Sequence, residues 1–487
     1  MLHNPDDYFS AGSDYFDEML NRSQRDGDWT RAPYQILSDW LEGQDPRQLQ
    51  KEAKRAQDIF RSIGITFNVY GESAGQERLI PFDVVPRILT ATEWKKLEVG
   101  LRQRVAALNS FLYDIYHTQE IIRAGVIPAS LVLDNKAFTP QMMGVDPPNN
   151  IYTHVAGVDI VRTEQDKFFV LEDNLRVPSG VSYMLENRET MMQMFPELFE
   201  KYRIRRVERY PYDLYQSLCE CFTQNTGDTP TVSVLTPGIY NSAYFEHAFL
   251  ADQMGVELIE GSDLVFHEGG VAQRTTQGPQ KVDIIYRRID DEFLDPLNFS
   301  SDGMLGMPGL FDAYRAGKVM LANAPGAGLA DDKAIYSYVP DIIRFYTGEE
   351  PKLGNIETWR CSDKSHLAFV LDNIESLVVK EVHGSGGYGM LIGPAASKRE
   401  INNFKRKLKN NPAKYIAQPT LALSTVPVLV QRGLAPRHVD FRPFVLVSPK
   451  GIRITPGGLT RVALKKNSLI VNSSQGGGTK DTWIVDD

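Results

Sequence analysis

The stretch LVVKEVHGSGGYGMLIGP, residues 377–394, decides between two folds for this chain. Gly384, Gly386 and Gly389 satisfy the G-x-G-x-x-G pattern, which in dinucleotide-binding folds is followed at once by a helix whose N-terminus meets the phosphate. Here the next residues, 390–392 (MLI), predict a second strand instead. The glycine run therefore joins two strands. Such a loop can either lay backbone N–H groups over nucleotide phosphates or be an ordinary hairpin turn.

Two lysines strengthen the phosphate interpretation of this loop. Lys380 follows the apolar strand residues 377–379, and Lys333 lies upstream in the chain. Ammonium groups act as point charges for phosphate oxygens, although a lysine after an apolar strand is also common at the edge of a sheet. The predicted phosphate-contacting residues are Lys333, Lys380, Gly384, Ser385, Gly386, Gly387, Tyr388 and Gly389.

A candidate metal site lies in residues 150–174, which predict two strands joined by a polar turn at 163–166. Asp159 falls on the first strand. Glu172 and Asn174 fall near the end of the second strand, and they share a face because strand side chains repeat every two residues. Carboxylate and amide oxygens are ligands that Mg²⁺ prefers. The alternative is a surface turn with solvated carboxylates.

Two arginines in the C-terminal third complete the set of charges. Arg442 lies in the stretch DFRPFV, residues 440–445, and Arg461 follows it. Guanidinium groups bind carboxylate and phosphoryl oxygens well, whereas the alternative for either residue is a surface salt bridge that contributes little. The glycines at 476–478 would permit close backbone approach, and the alternative is a flexible tail loop.

The remaining sequence predicts a mixed α/β (α+β) protein of roughly three domains. Apolar residues at steps of three and four predict a helix from Thr90 to about Ile115, and Thr90 with Glu93 forms a capping box at its start. Residues 230–330 predict a small α/β unit with a partly parallel sheet. Its candidate strands are 231–235, 256–260, 282–287 and 319–323. Residues 1 to about 45 are acidic and aromatic and predict a loosely structured arm.

Composition restricts the classes of protein. The 487-residue chain has a formal net charge of -9 and a pI near 5.5, which argues against nucleic acid as a partner because phosphate backbones favour basic surfaces. Three cysteines are too few for a disulfide framework, so a reducing compartment, the cytoplasm, is expected. No run of about 18 apolar residues predicts a membrane span, and the amino terminus lacks the pattern of a secretion signal.

The order of these motifs resembles that of a circularly permuted ATP-grasp protein. In most ATP-grasp members the lysine and the glycine loop precede the E-x-N motif, whereas here residues 172–174 precede Lys380, as in eukaryotic glutathione synthetase. Residues from about 60 to the C-terminus resemble the bacterial type 2 permuted family, some of whose members are labelled glutathionylspermidine synthases. The segments that carry the resemblance are TPGIYNSAYFEHAFLADQMGVELIEG (236–261), VHGSGGYGMLIGP (382–394) and VNSSQGGGTKDTWIVDD (471–487).

The resemblance implies a role for each site residue. The residues that would hold Mg²⁺, with Mn²⁺ as an alternative, are Asp159, Glu172 and Asn174, and the lysines and glycine loop would contact the phosphates of ATP. Residues 415–418 would be the hinge strand at the adenine, with Gln418 near the ribose in place of the acid that many relatives have. Arg442 would reach the γ-phosphate, and Arg461 would be the second arginine of that site.

The resemblance also implies a division of the chain. Residues 1–60 would be an N-terminal arm, and residues 61–229 a helical region with the part of the ATP-grasp fold that carries the metal motif. Residues 230–330 would be an α/β unit like the domain that precedes ATP-grasp folds. Residues 331–487 would carry the phosphate lysines, the glycine loop, the hinge and, at Gly476 to Gly478, a mobile lid over the acyl phosphate.

The implied activity is that of an ATP-dependent carboxylate–amine ligase. A small-molecule or peptide carboxylate would attack the γ-phosphorus of ATP, and an amine would capture the resulting acyl phosphate. Two other classes stay open: a kinase for a small hydroxylated molecule, and a nucleotide-binding module without turnover. The resemblance further implies transglutaminase-like and α-helical companion proteins, and neither nucleic acid nor a membrane as a partner.

Overall fold

Strands from distant parts of the chain meet in one large sheet, called the main sheet below. The structure is a computed structural model that describes residues 15–21, 29–68, 77–223, 229–384, 389–431, 433–466, 468, 469, 471 and 476–487. Across the main sheet the neighbouring strands are, in order, Gly354–Asn355, Lys167–Asn174, Val155–Glu164, Gly433–Arg442, Leu459–Val462, Gly478–Val485 and Phe82–Thr90. Further strands that join it are Thr425–Val430, Phe444–Ser448 and Gly451–Ile454.

The main sheet is held together by strands that are buried on both faces. Gly478–Val485 is buried at every position, and it pairs in parallel with Phe82–Thr90, which is buried at all positions but the last. Such burial is typical of strands that are covered on two sides. The helix Val181–Met194 contacts Gly478–Val485, so part of this cover is visible directly.

The long helix Ala91–Tyr116 begins where its capping box predicts. Thr90 Oγ1 accepts a hydrogen bond from the Glu93 N–H, and the Glu93 carboxylate accepts one from the Thr90 N–H. Leu97, Leu101 and Leu108, which follow the predicted three- and four-residue steps, are fully buried. The predicted amphipathic helix is confirmed, and each buried leucine stabilises the fold by about 1.5–3 kcal/mol.

The strands predicted within residues 230–330 are confirmed, and they form a sheet that is entirely parallel in the described residues, called the parallel sheet. Its strand order is Met320–Ala322, Ile284–Arg287, Val232–Leu235 and Glu257–Ile259. The helix Tyr244–Met254 connects the last two, because parallel neighbours need a crossover connection. The sequence does not predict the antiparallel sheet of Leu264–His267, Gly270–Thr275 and Gly278–Lys281.

The glycine loop belongs to an antiparallel sheet, called the loop sheet. Its order is Trp359–Arg360, Tyr415–Pro419, Leu377–Glu381 and Leu391–Ile392. Val378 pairs with Ile392, so the loop joins two strands, as its sequence context predicts. In the part of the chain that the structure describes, the next α-helix, Lys398–Asn410, begins after a second strand rather than at the loop. This arrangement does not match the strand–loop–helix setting of a dinucleotide-binding glycine motif.

The remaining α-helices are Gln35–Glu42, Pro46–Ile63, Glu120–Arg123, Ala129–Leu133, Pro196–Lys201, Tyr210–Cys221, Leu310–Arg315, Lys333–Tyr336, Val339–Thr347 and Lys364–Asn373. A two-stranded sheet joins Thr66–Asn68 to Glu77–Leu79. The mixed α/β (α+β) class is thus confirmed. Among the described helices, none is both long and apolar enough to cross a bilayer.

The N-terminal arm is more ordered than its composition predicts. Residues 1–14 and 22–28 lie outside the described residues. The helix Gln35–Glu42 falls within the stretch predicted to be loosely structured, and its Leu37 and Leu41 are fully buried. Burial of these side chains supplies the free energy that orders a segment with so many acidic residues.

Candidate active site

A cleft of about 910 Å³ opens where residues of the main sheet, the loop sheet and the α/β unit of residues 230–330 meet. The predicted site residues that line it are Asp159, Glu172, Asn174, Lys333, Lys380, Gly384, Gln418, Arg442 and Arg461. Gly389 lies outside this lining, beside the side chain of Glu381, and residues 385–388 (SGGY) lie outside the described residues. The volume is in the usual range for cofactor and substrate sites.

The E-x-N motif reaches the cleft from the hairpin Val155–Glu164 and Lys167–Asn174, called the acidic hairpin. Asp159 lies opposite Glu172 in the antiparallel register, and the register shifts immediately after Asp159. A bulge of this kind increases the local twist and re-aims side chains. Asn174 is two residues beyond Glu172, and all three side chains line the cleft.

Asp173, between the two motif residues, points away from the cleft and anchors the hairpin. Its carboxylate accepts two hydrogen bonds from Arg104, at 2.7 Å from Nε and 2.6 Å from Nη2, and both side chains are about 1% exposed. Arg104 also donates to Asn355 Oδ1. The sequence analysis missed this pair, yet a signal existed: Arg104 lies on the apolar stripe between Leu101 and Leu108, where a charge needs a buried partner.

Asn323 fixes the acidic hairpin to the parallel sheet. Its Oδ1 accepts hydrogen bonds from the backbone N–H groups of His154 and Val155, at 2.7 and 2.9 Å. Its Nδ2 donates to the carbonyl oxygens of Val155 and Leu175. One buried amide therefore holds both strands of the hairpin where they enter the cleft.

Asp159 holds two arginines in the cleft. Arg442 donates to both of its carboxylate oxygens, and Arg461 Nη2 donates to Oδ2 at 2.7 Å. Arg461 also pairs with Asp440, so two carboxylates and two guanidinium groups form one cluster. Gly157 leaves room for this cluster, because a Cβ there would lie only 3.2 Å from Cδ of Arg442.

The two carboxyl groups of this cluster differ in pKa. Burial alone would raise the pKa of Asp159, but the guanidinium groups of Arg442 and Arg461 hold it well below its ordinary value. Burial raises the pKa of Asp440, an effect that its pairing with Arg461 only partly offsets. Asp159 is therefore the firmly ionised partner of both arginines.

Lys333 bridges the acidic hairpin and the glycine loop. Its Nζ donates to Glu172 Oε1 at 2.8 Å and to the carbonyl oxygen of Gly384 at 2.7 Å. Asp332 caps the short helix that Lys333 begins, accepting from the N–H groups of Ala334 and Ile335. The predicted metal ligand and the predicted phosphate lysine thus form a salt bridge.

Lys380 projects into the cleft from the loop sheet. Its Nζ donates to Gln418 Oε1 at 2.8 Å, and Gln418 Nε2 donates to Thr358 Oγ1 at 3.0 Å. Desolvation by the cleft walls lowers the pKa of Lys380 to about 8, with Glu172 acting in the opposite direction. Gln418 is 2% exposed, and its side chain, predicted to lie near a ribose, is engaged by Lys380 and Thr358.

Asp331 is a cleft residue that the sequence analysis did not single out. Its carboxylate accepts from the backbone N–H groups of Leu175 and Arg176. Burial raises its pKa to about 7, although Arg176 acts to lower it. No short motif marks this residue, because its hydrogen-bond partners lie far away in the sequence, directly after the strand that carries the E-x-N motif.

The oxygen atoms in the cleft fit a divalent cation that would be bound jointly by the protein and by the phosphates of a nucleotide. Lys333 engages Oε1 of Glu172, and within the described ranges no hydrogen bond reaches its Oε2. Asn174 is two residues away on the same strand. Among the described residues no three His, Cys, Asp or Glu side chains cluster as a metal site. Mg²⁺ commonly binds one or two protein oxygens plus phosphate oxygens and water, so this small set suffices for it.

The predicted glycine lid is wrong in part. Gly477 and Gly478 are buried, and Gly478 begins the strand Gly478–Val485 of the main sheet. A Cβ at Gly478 would lie 2.8 Å from the carbonyl oxygen of Pro81, so this glycine serves close strand packing. Residues 472–475 lie outside the described residues.

Residues 86–463 match the family described as circularly permuted ATP-grasp type 2. An uncharacterized protein of Synechocystis sp. (strain ATCC 27184 / PCC 6803 / Kazusa) is 50% identical over 449 residues, which cover 92% of this chain and 93% of that protein. A Frankia casuarinae protein, provisionally named a glutamate–cysteine ligase, is 40% identical over 455 residues, which cover 93% of this chain and 52% of its own length.

A solved structure has a similar fold. The glutathione synthetase-like effector from Globodera pallida, in its apo form, has a TM-score of 0.59 at 12% identity, covering 91% of this chain and 98% of that chain. The family match includes the acidic hairpin, the loop sheet and both arginines of the cleft. The chain therefore belongs to the circularly permuted ATP-grasp type 2 family, within the ATP-grasp class of ATP-dependent carboxylate–amine ligases.

Proposed function

We propose that this chain forms an amide or peptide bond between a carboxylate and an amine, through an acyl phosphate made with ATP. The observation that carries the proposal is the composition of one cleft. The cleft brings together two lysines, two arginines and two side chains whose oxygens suit a metal ion, all from distant parts of the sequence. They are Lys333, Lys380, Arg442, Arg461, Glu172 and Asn174. Such a set matches the charges of ATP, a metal ion and an acid at once.

The lysines and the glycine loop would bind the phosphates of ATP. Lys380 extends from the strand that leads into the loop, and Lys333 already contacts the loop at Gly384. Glu172 and Asn174 would hold Mg²⁺, or Mn²⁺ in its place, which supplies positive charge at the phosphate oxygens. Because Glu172 and Lys333 pair with each other, binding of the metal ion and the phosphates would require each to exchange its partner for a ligand group.

In the first step, an oxygen of the substrate carboxylate attacks the γ-phosphorus of ATP. The bond between that phosphorus and the bridging β–γ oxygen breaks, ADP leaves, and the acid becomes an acyl phosphate. Arg442 and Arg461 would stabilise the charge that develops on the phosphoryl oxygens, and Asp159 fixes their position beforehand. Positioned donors of this kind cost little reorganisation at the moment of reaction.

In the second step, the amine nitrogen attacks the acyl carbon. The bond to the phosphate oxygen breaks, inorganic phosphate leaves, and the nitrogen loses a proton to complete the amide. The acyl phosphate must be kept from water until then, which the enclosing walls of the cleft favour. The Frankia relative, 52% of which matches this chain, is named as a glutamate–cysteine ligase, and that name describes a carboxylate–amine ligation.

The family and the composition also support a setting for this reaction. We expect it in the cytoplasm, with small-molecule or peptide substrates and without nucleic acid or a membrane. Transglutaminase-like and α-helical companion proteins remain part of the proposal as partners.

The test uses hydroxylamine as a general amine. The purified chain is incubated with ATP, Mg²⁺, hydroxylamine and a panel of carboxylates, and ADP and hydroxamate are both measured. We expect hydroxamate in proportion to ADP for at least one acid. ADP release that follows a hydroxylated compound and needs no carboxylate would identify a kinase and overturn the ligase.

Variants sharpen this assay. Glu172→Gln and Arg442→Ala are each expected to lower hydroxamate formation by roughly 10²-fold to 10³-fold, as for removal of one transition-state donor. Glu164→Gln, at an exposed position of the acidic hairpin, and Arg102→Ala, on the exposed face of the long helix, serve as matched controls. Parental activity in Glu172→Gln and Arg442→Ala would contradict the mechanism.

A further inference from the structure

We propose that the cleft holds a second, non-reacting carboxylate of the acid substrate at a corner formed by Tyr183, Arg288 and the start of the helix Tyr244–Met254. This inference rests on the proposed ligase function and specifies its substrate class. The acid would be a dicarboxylic amino acid, a related dicarboxylate or a peptide with a free carboxyl terminus. One of its carboxylates reacts with ATP, and the other is anchored in the corner.

Two buried polar atoms in the corner have no hydrogen-bond partner among the described residues. They are Oη of Tyr183, a side chain 7% exposed, and Nε of Arg288, a side chain 3% exposed. Both residues line the cleft. A buried donor left unpaired costs about 1–3 kcal/mol, so two such donors at one cleft wall indicate a ligand that carries acceptor oxygens.

The helix Tyr244–Met254 starts in the same corner without a side-chain cap. Its N-cap residue is Ala243, whose side chain offers no acceptor, and residues 241–243 line the cleft. The first N–H groups of a helix lack intrahelical partners and carry the positive end of its dipole. An uncapped start that faces a cleft therefore favours an anionic group.

Contacts bring these three features to one point. The Tyr183 ring stacks on Phe245, with centroids 6.3 Å apart and an interplanar angle of 12°. Arg288 Nη2 donates to Glu246 Oε1 at 2.9 Å. Phe245 and Glu246 are the second and third residues of the helix, so both donors adjoin its first turn.

Glu246 shows that this corner stabilises carboxylates. Its Oε2 accepts from the N–H groups of Gly180 and Ser182, at 2.7 and 3.1 Å, and from the Ser182 hydroxyl. It thereby caps the neighbouring helix, Val181–Met194, with a carboxylate from within the protein. At the start of the helix Tyr244–Met254, Asn241 accepts from the N–H groups of Ala243 and Tyr244, but no carboxylate of the described residues caps this helix. An external carboxylate would adjoin these bonds at the positive end of the helix dipole.

The protonation states in the corner suit an anion. Burial raises the pKa of the Tyr183 phenol well above its ordinary value, so its hydroxyl stays a donor. His247, which also lines the cleft, has its pKa lowered to about 2 by burial and by Arg288, so it stays neutral. Arg288 keeps its charge. Its Nη2 donates to Glu246 and its Nη1 to Pro178 and Tyr286, so Nε is the guanidinium nitrogen left for a ligand among the described residues.

The corner and the proposed reaction site are each hydrogen-bonded to one of two adjacent residues, Pro178 and Ser179. Arg288 Nη1 donates to the carbonyl oxygen of Pro178 at 2.7 Å, and Arg442 Nη1 donates to that of Ser179 at 3.1 Å. The two guanidinium groups therefore bind adjacent residues of one segment. A dicarboxylate in the cleft would extend from Arg442, proposed to lie at the γ-phosphate, to Arg288 in the corner.

Tyr183→Phe tests the corner with little risk to the fold, because the hydroxyl that it removes has no hydrogen-bond partner among the described residues. Tyr314→Phe is the matched control, since the Tyr314 hydroxyl is likewise buried and unpartnered among those residues, but Tyr314 does not line the cleft. The probes are glutarate, L-glutamate and L-aspartate, each compared with an analogue in which one carboxylate is an amide. Hydroxamate formation gives KM, and thermal shift with Mg²⁺ and a non-hydrolysable ATP analogue gives binding.

We expect at least one dicarboxylate to have a KM at least 10-fold below that of its amide analogues. Tyr183→Phe should raise this KM by about 10-fold to 100-fold, the effect of losing one hydrogen bond to a charged group. It should leave the KM for ATP and the unfolding temperature of the ligand-free protein unchanged. Tyr314→Phe should change none of these values.

The outcomes separate this proposal from the ligase function. Hydroxamate formation that is equal for dicarboxylates and their amides, or an unchanged KM in Tyr183→Phe, would overturn the corner and leave the ligase intact. A parent protein that makes no hydroxamate from any acid would remove the ligase function. If, in addition, no probe shifts the unfolding temperature, the corner is refuted as well.

Discussion

Arg442 binds the carboxylate of Asp159 through two of its guanidinium nitrogens, across 283 positions of sequence. Both oxygens of Asp159 are engaged by arginines, because Arg461 shares Oδ2. A carboxylate in this state positions the arginines, whereas Glu172 still has an oxygen to offer a metal. The contacts therefore favour separate roles for two acids that the sequence analysis grouped together.

The first prediction distinguishes these roles by Mg²⁺ dependence. Asp159→Asn is expected to lower turnover by roughly 10²-fold, since it loosens two transition-state donors, while the Mg²⁺ concentration for half-maximal rate stays near the parental value. Glu172→Gln should raise that concentration. Asp166→Asn, in the exposed turn of the same hairpin, is the control. An equal shift in Asp159→Asn would restore it as a metal ligand.

The second prediction follows from the pKa of Lys380, about 8. Below pH 8 the ammonium group is charged and binds phosphate, and above it the charge is lost unless ATP binding takes up a proton. The affinity for ATP should therefore fall as the pH rises from 8 to 9.5. Calorimetry should find weaker, nearly pH-independent binding in Lys380→Met over this range. The exposed Lys414 offers a control, Lys414→Met, and a parental pH profile in Lys380→Met would exclude the assigned role.

The third prediction concerns Gln418, whose neutral oxygen holds Lys380 without neutralising it. In Gln418→Glu a carboxylate would pair with the ammonium group, raise its pKa and compete with phosphate for it. ATP binding should weaken by about 10-fold or more and lose its dependence on pH near 8. Gln418→Met, which removes the hydrogen bond but adds no charge, should weaken it less. The idea fails if the glutamate variant binds ATP as tightly as the parent.

The fourth prediction concerns stability. Asp173→Asn leaves the Arg104 guanidinium buried without its counter-charge, which should lower the free energy of unfolding by about 3–5 kcal/mol. Urea denaturation measures the change. The double variant Arg104→Met with Asp173→Val should recover part of the loss, because it removes both charges. A change below about 0.5 kcal/mol in Asp173→Asn, as expected for the exposed control Asp166→Asn, would contradict the anchoring role.

Features that depend on a few neighbouring residues were predictable from the sequence. The acidic hairpin, the capped helix at Thr90 and the strand after the glycine loop each follow from a local pattern, and all three are present. The motif order predicted the family. Residues of the metal motif, both lysines and both arginines do meet in one cleft, although their chemical roles stay predictions.

Features that depend on partners far away in sequence were not predictable. The pairs Arg104–Asp173 and Arg461–Asp440 join different elements, and nothing in either local sequence specifies the partner. The lid at 476–478 was implied by the family resemblance, and glycines alone do not distinguish a mobile loop from a strand that needs close packing. Burial of Leu37 and Leu41 likewise depends on surfaces that the arm does not encode by itself.

The parallel pairing of Phe82–Thr90 with Gly478–Val485 has a consequence for biosynthesis. After the strand Phe82–Thr90, the ribosome must add residues 91–477 before the partner strand Gly478–Val485 is made. Until then the apolar edge of Phe82–Thr90 is unpaired, and closing the sheet requires a very long loop to be ordered. Nascent chains should therefore depend on chaperones until the partner strand is made. Chains that end before Gly478 should aggregate and should not be partly active.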